Sequence, residues 1–176
     1  MFIMNKKGFT LVELLAVIAI LAILVIIALP NVLSMFNQAK EDTFTTETKE
    51  MVKIAQQQYL ATFGKWTYYA VEGSKNANDD AIAVKNCTSS DGPEYGVDDD
   101  GNPTTEVVKY CKINKEAGNL KSFIVTFNKA DGQVATVFAD DGTYAYHLPY
   151  TEKDASGKDV TVSVYDATKV KNNGKN

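Results

Sequence analysis

The chain has no arginine: all 18 of its basic residues are lysine, set against 22 Asp and Glu for a formal net charge of −4. Without guanidinium groups it lacks the planar forks that clamp phosphates and carboxylates in bidentate pairs. No dense lysine run follows Lys6 and Lys7, so a nucleic-acid surface is not expected as its main purpose. The same absence hints at an A/T-rich genome, of the kind low-GC Gram-positive bacteria carry. Histidine is nearly missing as well. His147 is the only one, and no GxSxG, HExxH or phosphate-cradling glycine loop accompanies it. It lies in a strand-like run with Tyr144, Tyr146 and Tyr150, where a packed or surface-facing histidine is the plainer reading than a general base. A protein that is not an enzyme and has no cofactor is expected.

Cysteines number two, Cys87 and Cys111. They form no CxxC, and a single histidine does not complete a metal set. Outside the cell they could close a loop of about 25 residues, for which chain entropy gives about 3 kcal/mol; otherwise they are two buried thiols. Neither lies near the amino-terminal end, where a lipid would be attached.

The most informative scarcity is of charge. From Gly8 to Ala39 the only ionisable side chain is Glu13. A helix here is apolar on every side over the ~20 residues that a bilayer core requires, and reads as a membrane span. A carboxylate in such a segment costs roughly 2.5 to 3.5 kcal/mol at the bilayer centre and less near an interface, so it calls for a partner. An ordinary secretory signal has a shorter apolar core without an acid, and a plain anchor needs no carboxylate at this place.

The order of parts is Lys6, Lys7, Gly8, Phe9, Thr10-Leu11-Val12-Glu13, then uninterrupted apolar residues. This resembles the amino-terminal signature of type IV prepilins over roughly residues 5 to 40. The resemblance implies cleavage between Gly8 and Phe9 by a prepilin peptidase and a mature chain beginning at N-methylated Phe9. It also implies that Glu13 neutralises that amine during filament assembly. Pro30 matches a proline common in the family and is expected to kink the helix without stopping it. Ala22 departs from the pattern, since many relatives have glycine there. Removal of Lys6 and Lys7 with the leader leaves 16 lysines against 22 acids, a side-chain balance of −6.

Beyond Pro30, Phe36, Phe44, Met51, Val52, Ala55, Tyr59 and Phe63 recur at steps of about four or seven, which predicts one amphipathic helical face. A helix from Phe9 to Phe63 would rise about 80 Å, its second half covered on one side by the head, and Gly64 is placed to end it. From Lys65 to Lys115 turn residues interrupt any period, and a loop-rich connection is expected, with a short helix around Asp80 to Val84. The run Asp98-Asp99-Asp100-Gly101-Asn102 invites a calcium reading. An EF-hand frame set on Gly101 puts Gly96 and Val107 at ligand positions, so a solvated acidic turn is expected instead. The sequon at Asn86 is taken as chance. Strands are predicted at Ser122–Asn128 and Gln133–Ala139 around a glycine turn, then at Thr143–Leu148 and Val160–Tyr165. In the first two, Ile124, Val125, Phe127, Val134, Val137 and Phe138 are expected to face the helix. The polar stretch from Lys169 to Asn176 is expected to be loose.

The expected fold is therefore α+β and pilin-like, a long helix packed on an antiparallel sheet. Its parts are a leader (1–8), a transmembrane and assembly helix (9–36), an amphipathic continuation (37–64) and an extracellular head (65–176). The resemblance implies a structural subunit of a type IV pilus for adhesion, aggregation or twitching. Such a subunit spans the membrane once before it joins a helical homo-oligomer at the surface, and it depends on a prepilin peptidase, a platform protein and an assembly ATPase. Two alternatives stay open: a pseudopilin of a type II secretion or DNA-uptake system, and a monomeric membrane-anchored binding protein.

Overall fold

A computed structural model describes residues 8–97, 103–116 and 118–174. The Asp98–Asn102 run lies outside them. The chain divides into two compact units at Lys40 and Glu41, and one helix, α1 (Leu11–Ala61), supplies residues to both. In the first unit, α1 keeps its helical course through Pro30 and leaves every large apolar side chain exposed, from Leu11 to Phe36.

The second unit begins with the remainder of α1, which buries Phe44, Thr48, Met51, Val52 and Ala55. That stripe follows the helical period and lies against a seven-stranded sheet. Phe36 and Phe63, expected on this face, are not part of it and are 61% and 84% exposed. The regular helix ends at Ala61, two residues before Phe63, and two reverse bonds close it at the expected glycine: Gly64 N donates to Tyr59 O (3.0 Å) and Phe63 N to Leu60 O (3.1 Å). This pairing places Phe63 in the left-handed region (φ 54°) that glycine usually fills.

The strands are β1 (Tyr68–Ala70), β2 (Val84–Lys85), β3 (Glu94–Val97), β4 (Pro103–Lys112), β5 (Ser122–Phe127), β6 (Val134–Asp140) and β7 (Ala145–Leu148). Their order is β2-β4-β1-β5-β6-β7, with β3 also on β4. A separate hairpin, β8 (Tyr150–Lys153) with β9 (Asp159–Val162), follows. Pairing is mostly antiparallel; β4 runs parallel to β1 and to β2.

Three expectations need correction here. The stretch from Lys65 to Lys115 is more than a connection, because it contributes four strands between its loops, and residues 80–84 are not helical. Its anchor is Trp66, fully buried, whose indole Nε1 donates to Thr88 O (3.1 Å). Lys85 lies 5.3 Å from the centre of the Trp66 ring and pairs with Glu94 (2.8 Å), which also holds Lys109 (2.7 Å). Ile124 and Phe138 do not face the helix. They pair with each other in register, while Phe123, Val125 and Phe127 alternate onto the helix side with Val137 and Ala139. A bulge beside Phe127 brings Val134 onto that side too. The third correction concerns the final polar stretch: Val170 is buried in the core, and residues 172–174 are bonded to β7.

Candidate functional site

The predicted site residues fall in two places. Cys87 and Cys111 are joined in a disulfide, with Cα atoms 5.2 Å apart. Cys111 belongs to β4 and is fully buried, and Cys87 follows β2, whose Lys85 is the register partner of Cys111. The bridge thus fixes the end of β2 to its neighbour β4.

The other place is the start of α1. Gly8 and Phe9 are exposed, Phe9 by 91%, and a side-chain carbon built on Gly8 would meet nothing within 4 Å. The Gly8–Phe9 bond is therefore open to an enzyme that reads backbone. Four residues on, the Glu13 carboxylate turns back to the chain: its Oε2 accepts from Thr10 N (2.8 Å) and from Thr10 Oγ1 (2.9 Å). In return Glu13 N donates to Thr10 Oγ1 (3.3 Å). This is a reciprocal capping box, which satisfies amides that a helix start otherwise leaves without partners. The negative side chain also suits the positive end of the helix dipole. Thr10 was not singled out from the sequence, although Thr10-Leu11-Val12-Glu13 has the T-x-x-E spacing that signals such a box. Both donors fall on one carboxylate oxygen, and a carboxylate has acceptor sites for about four, so the cap does not exhaust Glu13.

Behind this cap, α1 is long and apolar enough to cross a membrane. Pro30 sits inside it. His147 is on β7 with its ring edge-on to Phe138, centroids 4.9 Å apart. Among the described residues no group of three or more His, Cys, Asp or Glu could hold a metal ion. A groove of the head, lined by Val71, Glu72 and residues 112–116, is an open surface feature that holds the Lys112–Glu72 ion pair.

Residues 3–29 match the family described as the prokaryotic N-terminal methylation motif. No curated protein and no solved structure matches the chain. The motif covers Gly8, Phe9, Thr10 and Glu13 and most of the apolar helix, and does not bear on a Gram-positive source. It implies processing by a prepilin peptidase and use of a pilus assembly machinery. The chain thus carries a type IV pilin-like prepilin leader at the start of a long apolar helix, on an α+β fold of pilin-like layout, and the motif supports a protein of type IV pilin or pseudopilin type.

Proposed function

We propose that this chain is a structural, non-enzymatic subunit of a type IV pilus, stored as a single-pass membrane protein and polymerised through residues 9–36 into a surface filament for adhesion, aggregation or twitching. The observation that supports this most is the first 30 residues of α1, Leu11 to Lys40, which bury no side chain although 24 of them, Pro30 included, are apolar. A segment of that kind is stable in lipid or among copies of itself. Passing from one to the other releases little hydrophobic free energy, so close packing and polar pairing must select the assembled state.

Glu13 is the group placed to do that. Once cleavage exposes the Phe9 amine, a cation and a carboxylate stand within one helical turn of each other on every subunit. The Thr10 cap holds the carboxylate at a set position, with acceptor capacity left for the amine of a neighbour. A charge in lipid without a partner is costly, so the pairing rewards a subunit only in register and acts as a selector. The Glu13→Ala variant is expected to be expressed, cleaved and folded in its head while filaments are lost or much reduced. Electron microscopy of cells with no wild-type copy reads the result, and normal filament number and length would overturn the assignment.

A further inference from the structure

Strand β7 ends the main sheet, pairing with β6 on one side only. An edge strand presents unpaired N–H and C=O groups, a template on which another chain can add. On β7 the outward residues are Ala145 and His147, and all four of their main-chain groups are taken by the segment Asn172–Gly174. Ala145 N donates to Asn172 Oδ1 (3.1 Å), and Ala145 O accepts from Asn173 N (2.9 Å) and Gly174 N (3.0 Å). His147 N donates to Asn173 Oδ1 (2.7 Å), and His147 O accepts from Asn173 Nδ2 (2.9 Å).

The Asn173 carboxamide therefore does what a paired residue of an antiparallel neighbouring strand would do, giving and receiving one bond with the same residue. It does so without continuing the sheet, because the partner is a side chain and leaves no new edge behind it. The segment is tethered by Val170, which is 4% exposed in the core. Its approach needs a glycine at 174, where a side-chain carbon would sit 2.4 Å from His147 Cδ2 and 2.8 Å from Ala145 Cβ.

We propose that Asn172–Gly174 is a clasp of amide groups whose role is to keep the β7 edges of two copies of this chain from pairing. Chain-to-chain pairing at such an edge would be antiparallel, His147 and Ala145 of one copy bonding to the same residues of the other across a two-fold axis. Crowding of heads in a membrane or filament, which rests on the function proposed above, sharpens the need. The clasp itself does not depend on that reading.

The test uses the full chain in detergent micelles, as wild type, as Asn173→Ala, and as the triple variant Asn172→Ala, Asn173→Ala, Gly174→Ala. Residue-resolved amide exchange should show Ala145 and His147 protected in the wild type. In Asn173→Ala, His147 should exchange at least about tenfold faster while Tyr146, Val125 and Val137 keep their rates. The triple variant should expose Ala145 as well, and cross-linking or sedimentation should find more two-chain species than in wild type at equal concentration. The apolar helix is common to both chains, so the excess reports the edge. An unchanged His147 rate in Asn173→Ala overturns the proposal. So does a triple variant with both amides exposed that is no more dimeric than wild type, and so does acceleration spread evenly over the sheet, which would mark the segment as general support for the fold.

Discussion

Replacing Cys87 and Cys111 together by alanine removes the one covalent tie between β2 and the sheet. The bridge spans 24 residues in sequence, and closing a loop of that length in the unfolded chain is worth about 3 kcal/mol on the chain-entropy account. Cys111 is fully buried, so losing its sulfur adds a packing cost of about 1 kcal/mol. For a unit the size of the head, a loss of this size should lower the melting temperature by roughly 10 °C or more. The assay is thermal and denaturant unfolding of the full chain in micelles, followed by Trp66 fluorescence, since Trp66 is buried and bonded to Thr88, the residue after Cys87. Amide exchange should accelerate first in residues 84–97, where β2 and β3 have β4 as their only strand partner among the described residues. Reduction of the wild type should reproduce the loss. A drop below about 1 kcal/mol, or loosening that begins instead at β5 and β6, would refute the reasoning, because it would mean that the unfolded chain gains nothing from being cut loose there.

Two further perturbations probe the head. Lys109 and Lys85 hold the Glu94 carboxyl down to about 2 from its ordinary 4.5. The stability this lends is present above pH 4.5 and lost as pH falls from there toward 2. Glu94→Gln should therefore be weaker than wild type in urea at pH 6 and nearly equal to it near pH 2; a gap that stays constant with pH would contradict the ion-pair account. Phe63 is 84% exposed with φ 54°, so Phe63→Gly should relieve backbone strain at little packing cost and raise stability by up to about 1 kcal/mol. A destabilised Phe63→Gly head would show that the ring contributes more to the fold than its exposure allows.

The helix and the hairpin of β5 and β6 were legible because their signals are local and long. Phe44, Met51, Val52 and Ala55 carry the helical period, and the strands around Lys129–Gly132 are bounded by a glycine turn. The disulfide was legible for a simpler reason, since two cysteines allow one pairing. The strands between Lys65 and Lys115 were not. β1 and β2 are three and two residues long, too short to show alternation, and they exist because β4 gives each of them a partner far away in sequence. The side on which Ile124 lies could not be read from β5 alone, where five of six residues are buried and both faces look apolar. At the site, Gly8, Phe9 and Glu13 stand out in the sequence, while Thr10 has a spacing signal that the stronger pattern around it hides. The Asn172–Gly174 clasp has no sequence signal, because side-chain amides that stand in for a strand look like a polar tail.

The measurement that bears most directly on the central claim is the intact mass of the subunit in filaments sheared from cells, together with electron microscopy of those cells with and without the gene. The account predicts surface filaments that vanish with the gene, built from a chain that starts at Phe9, carries one added methyl group and lacks residues 1–8. A chain that retains those eight residues, recovered only from the membrane of cells without such filaments, would contradict it.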